Sequence, residues 1–340
     1  MSNETIESLI QGYLDAIEVA LQKAVLRSPE FGSSMLHEML AYHMGWADSP
    51  DTVTTRGKRI RPLLVLLVCK AAGSHWASAL PGATAVELIH NFSLIHDDIE
   101  DNSPTRRGRL SVWKKWGIPQ AINTGDAMFA LAHLEVVQLA HTVDSVVALK
   151  AVDLLQRTCL HLTQGQHLDL SYETRCDLTV DDYWPMVEGK TAALISASTE
   201  LGALAAYCSD ENTAAYREFG RLLGLAFQVE DDLLGIWGNA SLTGKSNQSD
   251  LVTRKVTLPV LFGLAKAGKF ADRWNSAPIT EDDISSVAGL LEADGGKEFA
   301  QAEASRLLKQ ALSRLERAYP EGVAGEALIG LAESLVNRQS

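Results

Sequence analysis

Cysteine is scarce in this chain: four residues in 340, Cys69, Cys159, Cys176 and Cys208, with no CxxC spacing between any two. That pattern argues against a disulfide framework and a zinc cluster, and it suits a reducing cytosol. Basic charge is also short. Lys and Arg number 30 against 43 Asp and Glu, a formal net charge of −13, so the surface lacks the cations whose counterion release drives general nucleic-acid binding. Any anionic ligand must be held by a local basic cluster. Long apolar runs are missing too. The densest, "PLLVLLVC" at 62–69, is far too short to span a bilayer, and the opening "MSNETIESLI" is acidic where a secretory signal would be basic. These features predict a cytoplasmic protein with no transmembrane segment and no nucleic-acid partner.

Strand signals are scarce as well, with no train of alternating residues bounded by hairpin turns. Helical spacing recurs almost everywhere instead, and 46% hydrophobic against 21% charged residues is a globular composition. The expectation is an all-α fold. Val86, Ile89 and Phe92, with Leu88 and Ile95, give one apolar helix face running into an acidic cluster. Pro62, Pro81, Pro119 and Pro185 fall near the starts of apolar-periodic runs, where a missing N–H costs little. Thr179 with Asp182 and Thr280 with Asp283 have capping-box spacing. The stretch from Ala192 to Ser209, mostly small residues, reads as a helix buried against others. No low-complexity linker cuts the chain, so residues 1–340 are read as one domain. Its motif-bearing core covers about 50–265, and packing helices follow from about 271 to 340.

The chemistry concentrates in "SLIHDDIEDNSPTRRGR" at 93–109. On a helix Asp97 and Asp101 project about 40° apart and Asp98 lies within about 60° of Asp101. Two such charges roughly 5 Å apart repel by about 3 kcal/mol at an effective dielectric of 20. Divalent cations relieve this, and an all-oxygen donor set suits Mg²⁺ that keeps waters and shares a ligand's phosphates. A second acidic pair, Asp231 and Asp232, follows Gln228 by one turn, but the next turn brings Gly235, which offers no side-chain oxygen. Taken together, the two clusters predict a metal site built from two helices. The basic residues complete the pattern: Lys58 and Arg61 in "RGKRIRP", Arg106 and Arg107, then Lys190, Lys245 and Lys255 beside Gly or Thr. Arginine forks and lysine point charges are what a metal-bridged phosphate ligand needs. His90 lies on the Asp97 side of its helix. His96-Asp97 also spells the "HD" of metal phosphohydrolases, a reading that needs further histidine ligands and leaves the basic set without a role.

In this order and spacing the motifs resemble those of the trans-isoprenyl diphosphate synthases, the polyprenyl synthetase family. "GKRIRP" resembles GKxxRP, and "DDIEDNSPTRRG" resembles the first aspartate-rich motif DDxxD followed by RRG. "GQHLD" at 165–169, "GKT" at 189–191, "FQVEDD" at 227–232, "GK" at 244–245 and "RKVTLP" at 254–259 follow. The resemblance implies a single-domain helical bundle of the isoprenoid synthase type with a central active-site cavity. It implies condensation of isopentenyl diphosphate with an allylic diphosphate, Mg²⁺ as cofactor (three ions with substrate bound) and a homodimer. By the same resemblance Asp97, Asp101 and Asp231 would bind metal, with Asp98 beside them. Arg106, Lys190 and Lys245 would hold the allylic diphosphate. Lys58, Arg61, His90 and Arg107 would hold isopentenyl diphosphate, with Lys255 closing the site, and Thr191 and Gln228 would stabilise a cation. Phe92, five residues before Asp97, and the small Ser93 resemble the chain-length positions of short-chain synthases making C20, with C15 second. Two positions depart from the family pattern: Gly235 replaces a third aspartate, for which weaker metal or substrate binding is expected, and Trp113 stands where many members have histidine. The alternatives are a class I terpene cyclase on the same fold, which has no use for a second diphosphate site, and a non-catalytic partner subunit of a prenyl synthase.

Overall fold

The computed structural model describes residues 3–26, 34–46, 56–238 and 250–337. The first helices are α1 (Asn3–Leu26), α2 (Ser34–His43), α3 (Ile60–Ala71) and α4 (Leu80–Glu100). A two-stranded ribbon, β1 (Thr105–Arg106) and β2 (Arg109–Leu110), precedes α5 (Val112–Trp116), α6 (Ile118–Val137) and α7 (Ser145–Tyr172). Then come α8 (Val180–Val187), a π-helical turn (Glu188–Ala192), α9 (Ala193–Ala205) and α10 (Asp210–Trp237). The chain finishes with α11 (Leu258–Ala265), α12 (Lys269–Ser276), α13 (Ile284–Ala293), α14 (Gly296–Arg317) and α15 (Gly322–Val336). The fold is all-α, as the periodicity predicts.

The chain forms two compact units. The first comprises residues 1–157, 197–216 and 318–328. Its centre is α3, in which every residue from Leu63 to Cys69 is buried, so the helix that opens with "IRPLLVLLVC" is surrounded by apolar neighbours. Pro81 sits in the first turn of α4, where no N–H is missed. Gly125 lets α6 come close to α4, because a Cβ there would collide with the His96 ring. The ribbon is a two-residue hairpin whose central residues, Arg107 (φ 52°) and Gly108 (φ 74°), both take the left-handed conformation that such a turn demands.

The second unit comprises residues 158–196, 217–317 and 329–340. Both capping boxes form: Thr179 N donates to Asp182 Oδ2 at 2.8 Å and Thr280 N to Asp283 Oδ2 at 2.9 Å. Pro185 departs from expectation, lying inside α8 instead of at its start. A proline there has no N–H for the carbonyl one turn back, and the helix widens into the π turn directly after it. That turn touches α7 backbone to backbone through Gly189 and Gly165, where neither position has room for a Cβ. A separate apolar cluster of Ile236, Leu251, Val260, Phe270, Trp274, Val287 and Leu291 holds the C-terminal helices.

Candidate active site

The acidic cluster occupies the last turn of α4, with Asp101 as its C-cap. This is the negative end of the helix dipole, so the three carboxylates add charge where it is least favoured. Arg106 answers that charge. Its Nε and Nη2 donate to Asp98 Oδ1 at 2.9 and 2.6 Å, and Nη2 reaches Asp97 Oδ2 at 3.3 Å. Asp98 is turned into the protein and 1% exposed. Burial raises its pKa, Arg106 pulls it back, and its Oδ2 is buried without a partner. Asp97 remains half-buried and Asp101 exposed. The donor set is all oxygen, and among the described residues no group of three or more His, Cys, Asp or Glu is arranged to enclose an ion. The all-oxygen donor set itself would suit Mg²⁺, which takes one or two carboxylates and fills the rest of its shell with water and substrate oxygens.

The basic motif before α3 divides its side chains between two directions. Arg59, in the left-handed conformation (φ 49°), turns inward. Its Nη1 donates to Glu87 Oε1 at 2.8 Å, its Nε to Glu18 Oε2 at 3.3 Å and its Nη2 to Met44 O at 3.4 Å. Lys58 is exposed, and Arg61 Nη1 meets His90 Nε2 at 3.2 Å. Arg107, on the hairpin turn, donates Nη1 to Arg56 O at 3.1 Å, and a Cβ at Gly57 would stand 2.9 Å from its Nη2. The cations depress one another. Burial, then Arg61, Arg107, Arg106 and Arg59, hold the His90 pKa well below the usual imidazole value, so the neutral ring accepts from Arg61. Burial, with Arg59, Arg106 and Arg109, brings the Arg107 guanidinium down to about 10 despite Glu87. Arg61 is lowered by burial, and its Nε is buried without a partner. Such a set favours a multiply charged anion, and a diphosphate has the charge and the oxygens for it.

In the second unit Lys190 and Thr191 lie on the π turn. Lys190 Nζ pairs with Asp169 on α7. Thr191 Oγ1 donates to Gln228 Oε1 at 2.6 Å, and Gln228 Nε2 donates to Asp232 Oδ1 at 2.9 Å. Asp232 is 4% exposed and also accepts from Tyr183 OH at 2.7 Å and Leu258 N at 3.1 Å. Burial pushes its carboxyl up to about 7 against the pull of those donors. Asp231, its neighbour, is half-buried. Gly235 leaves a space that Asp250 fills: a Cβ at 235 would collide with the Asp250 carboxylate, and Asp250 N donates to Gly235 O at 3.3 Å. Lys255 is exposed, with its N–H on Asp250 O at 2.9 Å. Lys245 lies outside the described residues.

Several contributors escape a reading of residue types. Trp113 Nε1 donates to Ser103 O at 2.8 Å, and Ser111 Oγ donates to the same carbonyl, so the tryptophan pins the loop that follows the acidic cluster. Asp169 ends the "GQHLD" motif, but only the fold reveals that its partner is Lys190, 21 residues on. Phe129, on α6, packs edge-on against Phe92 with ring centroids 5.0 Å apart, and His133 lies against Phe129 at 4.3 Å. Ser93 Oγ donates to His90 O of its own helix. His96 turns to α6, with Nε2 3.4 Å from Ile122 O and its ring against Phe92, away from the role a phosphohydrolase ligand requires.

The polyprenyl synthetase family model matches residues 48–288. The chain is 42% identical to the (2E,6E)-farnesyl diphosphate synthase of Mycobacterium tuberculosis over 316 residues, covering 90% of this chain and 87% of that one. It is 38% identical to the geranylgeranyl diphosphate synthase of the same organism over 351 residues, covering 98% of each. The crystal structure of a polyprenyl synthetase from Streptomyces coelicolor superposes with a TM-score of 0.88 at 34% identity, covering 97% of this chain and 99% of that one. On a match through most of its length, with the aspartate and arginine motifs inside it, the chain belongs to the polyprenyl synthetase family of trans-prenyltransferases.

Proposed function

We propose that the protein condenses isopentenyl diphosphate with an allylic diphosphate to give a short-chain trans-prenyl diphosphate, C20 geranylgeranyl diphosphate ahead of C15. The observation that carries this is the crowding of Arg61, Arg106 and Arg107 around a neutral His90, beside carboxylates at the negative end of α4. A cyclase, which holds one diphosphate, has no use for so many cations; a condensing enzyme holds two. Asp97 and Asp101 from one acidic cluster and Asp231 from the other are the residues that would hold Mg²⁺. When bound, Mg²⁺ neutralises the departing diphosphate and so eases loss of the allylic C–O bond.

The chain's own residues do the rest. Arg106, Lys190 and Lys245 take the allylic diphosphate, with Arg106 exchanging part of its contact with Asp97 and Asp98 for phosphate oxygens. Lys58, Arg61, His90 and Arg107 take isopentenyl diphosphate, and Lys255 closes over it. His90 accepts from Arg61 and thereby aims that guanidinium. The Thr191 and Gln228 oxygens face the carbocation, and apolar side chains keep water from it. Phe92, backed by Phe129, limits the tail. The protein acts as a homodimer, whose interface would cover apolar side chains exposed on α6 and the start of α7, among them Ile118, Ile122, Val137, Val146 and Leu149.

Incubating the purified protein with Mg²⁺, isopentenyl diphosphate and dimethylallyl, geranyl or farnesyl diphosphate tests the reading. Isopentenyl-dependent, phosphatase-sensitive products of C20 mass are expected. Hydrocarbons formed without isopentenyl diphosphate would identify a cyclase, and no turnover would move the partner-subunit reading to the front.

A further inference from the structure

Gln228 and Thr191 each carry a group whose polarity the residue type leaves open. An amide can face either way, and a hydroxyl can donate or accept. Both choices are settled by Asp232, which takes no part in the roles assigned above. Leu258 N–H and Tyr183 OH both point at Asp232 Oδ2, at 3.1 and 2.7 Å, and a backbone N–H can only donate. In its ionised form the carboxylate accepts from both and presents Oδ1, also an acceptor, to Gln228. A carboxylate oxygen at that distance demands the NH2 side of the amide, so Gln228 Oε1 faces Thr191. Thr191 must then give its proton to Oε1, at 2.6 Å. Its two lone pairs are the electron-rich face that the hydroxyl offers.

We propose that Asp232 is a positioning residue that sets the polarity of the Tyr183–Asp232–Gln228–Thr191 chain, so that oxygen lone pairs and not protons are presented to the reacting carbons. This rests on the prenyltransferase reading above and deepens it. The second aspartate of the motif thus has a different task from the first: Asp231 is a candidate metal ligand, whereas Asp232 is buried among three donors from α8, α10 and the start of α11. Fixed dipoles of this kind favour a developing charge because they need not reorient when it forms. With the polarity reversed, the Thr191 proton would swing towards a cation and raise the barrier. The chain is short, and each link depends on the one before it.

Asp232→Asn tests this with little change of shape. Its carbonyl must stay on the Leu258 and Tyr183 donors, so its NH2 faces Gln228 and turns the amide over. Steady-state rates of the full chain are measured with isopentenyl and geranyl diphosphates across a range of Mg²⁺ concentrations. The expected result is a kcat lower on the order of tenfold to a hundredfold, with both KM values and the Mg²⁺ requirement unchanged. Gln228→Leu should show a similar loss, and the double variant should be no worse than Gln228→Leu alone, because both act through one chain. A shifted Mg²⁺ requirement, additive losses or an unchanged kcat would each overturn the proposal. Should Asp232→Asn fail to fold, Tyr183→Phe paired with Gln228→Leu asks the same question: non-additive kcat losses support the chain and additive ones refute it. An inactive wild-type protein would instead remove the prenyltransferase reading, and the positioning role with it.

Discussion

Asp97, the metal ligand proposed above, shows how one residue can be unfavourable for the fold and still be required by the chemistry assigned to it. It adds negative charge to the carbonyl end of α4, one turn from Asp101 and beside Asp98, and Arg106 reaches it at only 3.3 Å. Removing it relieves repulsion worth a few tenths of a kcal/mol or more. Asp97→Ala should therefore abolish turnover while the melting temperature holds or rises slightly; near-normal rates in the folded variant would remove Asp97 from the metal site. Phe92 makes the complementary case. It is half-buried and touches Phe129 and His96, so truncation opens space that an extending tail can enter. Phe92→Ala should lengthen the products by at least one five-carbon unit, read by mass after phosphatase treatment, and an unchanged product length would exclude Phe92 as the stop.

At the scale of elements, helices end or deform where the proposed site residues gather. α4 ends in the acidic cluster, the hairpin turns at Arg107 and Gly108, and α8 widens after Pro185 into the π turn that carries Lys190 and Thr191. Irregular backbone at these positions is costly elsewhere in a helix and common at functional sites. Gly235 is the same lesson in reverse. Its missing side chain leaves room for the Asp250 carboxylate to come against α10. Restoring the family aspartate with Gly235→Asp would set two carboxylates in one space. The variant should lose about 1–3 kcal/mol by overpacking and gain no activity. A rise in both melting temperature and kcat would show that Asp250 yields and that the glycine is a true deficit.

For the molecule as a whole, the negative net charge and the concentration of cations around the acidic cluster belong to one design. A chain with 43 acidic against 30 basic residues repels anions in general, so the diphosphate binding proposed above would depend on the half-buried Arg61, Arg106 and Arg107. The same scale governs assembly. Leu149, 69% exposed, and Val146, 64% exposed, with Val137 at 54%, are large apolar side chains left open to solvent at the end of α6 and the start of α7, which the proposed dimer would cover. Sedimentation of the purified protein should give about twice the mass of one chain, and Leu149→Glu with Val146→Lys should shift it towards monomer; a monomeric wild-type protein would remove the dimer from the proposal.

Much of this was readable from residues alone. Helical period, capping boxes and the spacing of Asp97, Asp98 and Asp101 are local properties, decided by geometry that repeats every few residues, and they stand in the fold as the pattern predicts. The motif order identified the family for the same reason, since the reactive groups lie in short contiguous stretches. Pro185 inside α8 went against local reasoning, because the tertiary contact of Gly189 with Gly165 favours a widened turn there. The pairings Lys190 with Asp169, Arg59 with Glu87, Trp113 with the Ser103 carbonyl and Asp232 with Tyr183 belong wholly to the folded chain. A residue's type states what it can donate or accept, and its neighbours along the chain state which helix carries it. Which of many possible partners it meets is decided only when helices pack, because burial removes water as a competitor and makes each polar group find one specific mate.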